Sequence, residues 1–188
     1  LGRARIMGQS IDITERKNAE LSLAKNESIL KATMDAMNDG MLIVSSDGTV
    51  THSNRRFNQI FNFPVEFIGV TDETVLLEYA KEQLTDPDRF YQRVKDIYNT
   101  LSPTEDELYF KDGRILERHS YPIIEDNVSK GRVWIFRDIT ESKKAEEALE
   151  KEKVFSNAVI DSIPGLLYLY DEDRHLIRWN KQHETLTG

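Results

Sequence analysis

The side chains of this sequence that could do chemistry are few and scattered. Its histidines, His52, His119, His175 and His183, include no i, i+4 pair of the kind that sets two imidazoles on one helix face for a metal. Cysteine is absent, which removes disulfides, thiolate metal sites and thiol nucleophiles together. No GxGxxG run or other phosphate-cradling loop occurs. Carboxylates are plentiful, 33 Asp and Glu against 25 Lys and Arg, but none stands in a recognisable acid–base setting. No nucleophile, base and orienting group can be assembled, so the stretch reads as non-catalytic, with no metal site.

Two other groupings carry more. Phe57, Ile60, Trp134 and Phe136 are candidates to line an apolar pocket for a small organic ligand. The same four serve equally well as plain core packing, the commoner use of such residues. The second grouping is Asp138-Ile139-Thr140, where an apolar strand pattern gives way to a helical one. Asp138 or Thr140 is expected to cap the unpaired N–H groups of the helix's first turn, and the acid is favoured at that positive end. Beyond capping, the three residues form a coupling point between strand and helix.

A chain of 188 residues, 39% hydrophobic and with a net charge of −8, has enough apolar content for one modest core. The negative balance argues against a nucleic-acid surface, which needs clustered Lys and Arg. No apolar run approaches the roughly 20 residues that span a bilayer, so the expectation is a cytoplasmic segment without membrane contact.

Residues 13–37 and 139–163 read as helices, rich in Glu, Lys and Ala and free of interior Gly and Pro. Ala19, Leu23, Leu30, Met34 and Met37 form a stripe on the first, and Ala145, Leu149, Val159 and Ile163 a similar one on the second. Either each helix lies on its own domain, or Leu23, Leu30, Met37, Leu149 and Val159 form a dimer seam. Gly40–Val44 and Thr49–Ser53 flank Asp47-Gly48 as a hairpin. Asn54 then opens a helix that Pro64 ends, residues 72–83 read as a helix, and Asp86-Pro87-Asp88 opens another carrying Phe90, Val94, Ile97 and Leu101. A hairpin over Glu107–Lys111 and Arg114–Pro122 turns at Asp112-Gly113, placing Tyr109 opposite Leu116 and Glu107 opposite Arg118. Gly131–Arg137 is a fifth strand. The fold class is therefore α+β, a five-stranded antiparallel sheet with helices on one face, flanked by linker helices.

One stretch occurs twice. Asp12-Ile13-Thr14-Glu15 returns 126 residues later as Asp138-Ile139-Thr140-Glu141, and the same offset pairs Asp35 with Asp161 and Asn54 with Asn180. A repeat of that length is domain-sized. Residues 1–14 are thus expected to end a preceding module, 15–37 to be a linker helix, and 38–141 to be one complete module. The 139–163 helix then leads into 164–188 as the start of a following module. Neither terminal piece can bury a core alone, so each is expected to be disordered or completed by a neighbouring chain.

Four stretches, taken in order, carry a resemblance to a known family. They are Asp47-Gly48 with Asn54 and Phe57; Phe61-Asn62-Phe63-Pro64 through Gly69; Phe110-Lys111-Asp112-Gly113-Arg114 with Glu117-Arg118; and Gly131–Trp134 with Phe136-Arg137-Asp138-Ile139-Thr140-Glu141. Together they resemble the first hairpin, helix exit, middle hairpin and last strand of the PAS sensor family. The resemblance implies a sensory, dimerising module in two-component-type signalling. A ligand- or redox-dependent change would pass through the exit motif and linker helix to a distant output domain, such as a histidine kinase or a diguanylate cyclase. A ligand-free spacer is the rival. Arg55 stands where light-sensing relatives carry their flavin-binding cysteine, and residues 54–101 hold no histidine for haem. The cofactor therefore stays unknown, with cysteinyl-flavin photochemistry and haem both disfavoured. The implied partners are a second copy of the chain and a small molecule.

Overall fold

The computed structural model describes residues 14–187. Residues 1–13 of the segment expected to end a preceding module lie outside those residues. The chain divides into two compact units after Asp138.

The first unit begins with helix α1 (Thr14–Asp35), followed by strands β1 (Gly40–Ser45) and β2 (Val50–Ser53). Helices α2 (Arg55–Ile60), α3 (Glu73–Lys81) and α4 (Pro87–Tyr98) come next, then strands β3 (Thr104–Tyr109), β4 (Ile115–Glu125) and β5 (Val128–Asp138). The strands form one antiparallel sheet in the order β2-β1-β5-β4-β3, the architecture expected. Each of the three short helices starts at a polar side chain that accepts from its first turn: Asn54 from Phe57 N–H, Asp72 from Thr74 N–H, and Asp86 from Arg89 N–H. Strand alternation puts Leu42, Val44, Leu116, Trp134 and Phe136 on the helix side, where they meet Phe57, Phe61, Phe63, Phe90 and Ile97 in one core.

The middle hairpin differs from the expected register by one residue. Leu108 faces Leu116, Asp106 faces Arg118, Glu107 faces Glu117 and Tyr109 faces Ile115. The loop has three residues, Lys111-Asp112-Gly113: Phe110 N–H donates to Arg114 O at 2.9 Å, and Gly113 closes the turn at φ +88°. A two-residue turn would have turned one strand's core side chains outward. The β4–β5 hairpin is also longer than expected, because Asp126 and Asn127 both adopt positive φ and turn the chain without a glycine. Leu101 falls beyond the end of α4 and is exposed.

Arg132 is the least expected core residue. Its side chain is 1% exposed. Nη1 donates to Ile97 O (2.8 Å) and Thr100 O (2.6 Å), Nη2 to Ser102 O (3.0 Å), and Nε to Ser120 Oγ (2.7 Å). A guanidinium thus serves carbonyls at and just after the C-terminal end of α4, where a cation is also favoured by the helix dipole. The preceding residue, Gly131, lies so close to β1 that an added Cβ would stand 2.3 Å from Val44 O.

Along α1 only Met34 is buried, so this helix does not lie along its own domain; Leu23 and Leu30 are exposed, and Met37 is exposed just past the helix end. In the second unit, α5 (Thr140–Ser162) buries only Thr140 and leaves Leu149 and Val159 exposed. It is followed by the antiparallel pair β6 (Tyr168–Tyr170) and β7 (Leu176–Trp179), then α6 (Lys181–Thr187).

Replacing Arg132 with Ala removes a donor from three carbonyls and from the buried Ser120 hydroxyl, and should cost about 3 kcal/mol of unfolding free energy. Arg137→Ala, at a half-exposed ion pair, should cost far less than the Arg132 change. Urea unfolding of the two variants beside the parent chain checks both.

Candidate functional site

Asn54 sits where a helix, a strand and a second helix meet. It is 1% exposed. Its Oδ1 accepts from Met41 N–H (2.8 Å) and Phe57 N–H (2.9 Å), while Nδ2 donates to Met34 O (2.8 Å) and Asp39 O (2.9 Å). Its own backbone N–H donates to Met41 O at 3.0 Å. Beside it, Arg55 N–H donates to the Asp35 carboxylate at 3.1 Å. One side chain therefore holds the last turn of α1, the start of β1 and the start of α2.

A second tie joins the incoming turn to the outgoing strand. Arg137, the penultimate residue of β5, pairs with Asp39 through Nη2 at 2.8 Å. Glu117 lies 3.8 Å from Arg137 and 2.9 Å from His119 Nε2, extending the polar chain across the outer face of the sheet. Hydrogen bonding to Asp39 holds the Arg137 guanidinium above its ordinary pKa range.

The exit motif follows directly. Asp138 is the last residue of β5 and pairs with Leu116, so it ends the strand rather than beginning the helix. The N-cap position falls on Ile139 (φ −108°, ψ 12°), whose side chain makes no capping hydrogen bond. Thr140 is the first helical residue and is buried. The helix boundary thus falls between the two residues expected to cap it.

The pocket candidates are all core. Phe57, Trp134 and Phe136 surround a cavity of about 30 Å³, together with Leu42, Phe61 and Glu73. That volume holds about one water molecule. The Phe57 and Phe136 rings are 5.5 Å apart, and Phe61 meets Phe136 edge-on at 5.0 Å. Ile60 is buried elsewhere, against Gly40. The wall of this cavity includes Arg118, which is 1% exposed and held by both oxygens of Asp106 at 2.8 and 2.6 Å. Beyond Phe90 and Arg118 an open groove of about 540 Å³ is lined by Arg89, Arg93, Asp106 and Tyr109 among others.

Sequence reasoning missed the buried acid in this wall. Glu73 is 6% exposed, and the Tyr98 hydroxyl lies 2.7 Å from each of its carboxylate oxygens. Burial pushes the Glu73 carboxyl above its ordinary range, the Tyr98 hydrogen bond opposes this, and the neighbouring Asp72 charge adds to it. Burial, with the Glu73 charge next, also raises Tyr98 strongly. The indole N–H of Trp134 lacks a partner of good hydrogen-bond geometry, although it lies near enough to Tyr98 to favour the ionised phenol slightly.

The second unit repeats the asparagine joint. Asn180 is fully buried. Its Oδ1 accepts from Leu167 N–H (3.1 Å) and His183 N–H (3.1 Å), and Nδ2 donates to Gly165 O (2.8 Å) and Ile163 O (3.3 Å). Lys181 N–H donates to Asp161 Oδ1 at 2.8 Å. Leu167, Gly165, His183, Lys181 and Asp161 are the 126-residue counterparts of Met41, Asp39, Phe57, Arg55 and Asp35. Only the helix carbonyl differs, Ile163 standing where the offset would put Ile160. The sequence signal was present in the repeated Asp and Asn, but not its meaning.

Comparison with known proteins agrees with this architecture. Sporulation kinase E of Bacillus subtilis (strain 168) is 27% identical over 182 residues, which is 94% of this chain and 23% of that protein. The chain therefore spans about a quarter of the relative's length. Among solved structures, the PAS domain of Bordetella pertussis BvgS is similar at 12% identity and a TM-score of 0.48, covering 69% of this chain and 97% of that one. The PAS domain of an HTR-like protein from Haloarcula marismortui is similar at 20% identity and a TM-score of 0.44, covering 65% and 99%. The family profile described as PAS fold matches residues 34–147, more than half of the chain. With the five-stranded sheet and its helical face in place, the chain belongs to the PAS fold family.

Proposed function

We propose that residues 38–141 form a sensory and dimerising module in signal transduction. In this reading a change in the core biases the sheet, and Asp138, Ile139 and Thr140 pass the bias to α5 and on to a distant output domain. The observation that carries it is the joint seen at Asn54 and again at Asn180. Each ties the end of a long helix to the start of a strand, so α5 leaves one sheet and ends in the same kind of socket that receives α1. A relative named as a sporulation kinase supports a histidine kinase as the output, with a diguanylate cyclase as the alternative. No helix among the described residues is long and apolar enough to cross a membrane; a cytoplasmic place is part of the proposal.

A helix pair supplies the two-state element, and a ligand acts only through its differential affinity for the two states. Leu23, Leu30, Met37, Leu149 and Val159 are exposed, which supports a dimer seam along the linker helices. The second reading, a relay that binds nothing small, is favoured by the 30 Å³ cavity, far below the few hundred Å³ of an ordinary ligand pocket.

An absorbance spectrum and a native mass spectrum of the purified chain separate the readings. A chromophore or small-molecule adduct supports the sensor; a bare dimer that survives pocket-filling substitutions supports the relay. A double charge substitution, Leu149→Glu with Val159→Glu, should raise the dimer dissociation constant at least tenfold by sedimentation. Asn54→Ala, which orphans buried backbone groups at the joint, should cost about 3 kcal/mol in urea unfolding.

A further inference from the structure

We propose that Glu73 is a proton-binding site inside the module, and that its protonation sets the contact between α3 and α4. The proposal deepens the sensory reading by naming a ligand that the small cavity can hold, and so rests on it only for the signal's destination.

Glu73 is the first residue of α3, yet its side chain turns inward and is 6% exposed. Around it most of the cavity wall is apolar, with Leu42 of β1, Phe57 of α2, Phe61 just after it, Leu76 of α3 and Phe136 of β5. The charged and titratable groups that face it are few. Asp72 precedes it with the same sign and is occupied in capping Thr74. Tyr98, at the end of α4, gives it an O–H. Arg132 of β5 lies near Tyr98, but its donors are directed to Ser120, Ile97, Thr100 and Ser102. Arg118 of β4 lines the same cavity and is held by Asp106 on both oxygens. Strands β1 and β2 and helix α2 bring no charge to the site. Among the described residues, no Lys or Arg pairs with Glu73.

A carboxylate in that position is buried without a counter-ion, a costly state that proton uptake relieves. The positive end of α3 and the Tyr98 hydroxyl favour the anion, but burial outweighs them. Proton uptake converts the carboxylate to a neutral acid, whose O–H and carbonyl can both be satisfied by Tyr98 and one water in the cavity. Proton loss leaves a charge that draws water between the helices. The Glu73–Tyr98 bond is well placed to report this. Glu73 N–H donates to Gly48 O in the β1–β2 turn at 3.1 Å, while the residues just after Tyr98 feed the carbonyls held by Arg132.

The sign follows from linkage. The folded chain holds the Glu73 proton to higher pH than the unfolded chain, whose ordinary value is 4.5. The stabilisation is therefore complete below that value and is lost as pH rises through the folded-state value. Two measurements on the chain test this. Carbon-detected NMR of side-chain-labelled glutamate should show one carboxyl, absent in E73Q, titrating above all the others, and Tyr98→Phe should move it higher still. Urea unfolding from pH 4 to 8 should show the parent's unfolding constant rising relative to E73Q, about tenfold for each pH unit between the ordinary and folded-state values. Titration of Glu73 together with the surface glutamates would overturn the proposal, and this readout needs no variant if E73Q fails to fold. Hydrogen exchange in α5 across the same titration answers the separate question of whether the proton reaches the outgoing helix.

Discussion

A buried amide must have its hydrogen bonds, and the first unit is arranged around that requirement at Asn54. The side chain serves two backbone donors and two backbone acceptors drawn from α1, the turn after it, β1 and α2. An apolar residue of the same size would take a partner from each of those groups, leaving Met34 O only its 3.3 Å bond from Met37 N–H, at about 1–3 kcal/mol for each group left buried and unpaired. With Asn54 in place, the direction of β1 relative to α1 is set. Strand β5 can then lie along β1 from Gly131 to Phe136, and Phe57 is delivered to the core three residues into α2. Asp35 and the Arg137–Asp39 pair reinforce the same corner from outside, and being exposed they add position more than stability.

The rest of the interior handles charge in three different ways. Arg118 is paired with a carboxylate, Arg132 is spent on the carbonyls that end α4, and Glu73 has only a phenol. The first two are satisfied solutions to burial. The third is not, unless a proton is bound, and it borders a small void in the phenylalanine-rich core. The fixed Arg132 contacts and the Glu73–Tyr98 contact therefore share the C-terminal end of α4.

Much of the fold was legible because it is written in local chemistry. Alternation marked the strands, and Asn54 and Asp86 announced helix starts by their type alone. The register of the middle hairpin was not legible, because the choice between two and three loop residues rests on the left-handed conformation of Gly113. The β4–β5 turn was hidden since Asp126-Asn127 lacks the glycine that usually signals positive φ. Arg132 could have been suspected, since period two sets it on the face of Trp134 and Phe136. Glu73 could not: an acid after an N-cap aspartate reads as an ordinary first-turn residue, and its burial is decided by helices and strands far away in sequence. The repeat told where the joints were, and only the hydrogen bonds told what they join.

The central claim is that one asparagine grips the end of a long helix and the turn after it through its Nδ2 donors, and a strand–helix corner through its Oδ1 acceptor. Hydrogen exchange on the Asn180→Asp chain tests it most directly, because the carboxylate keeps the acceptors for Leu167 and His183 and loses the donors to Ile163 and Gly165. The account predicts faster exchange confined to the last turn of α5, with the Leu167 and His183 amides still protected. Uniform loosening of the whole hairpin, or no change in α5, would contradict it.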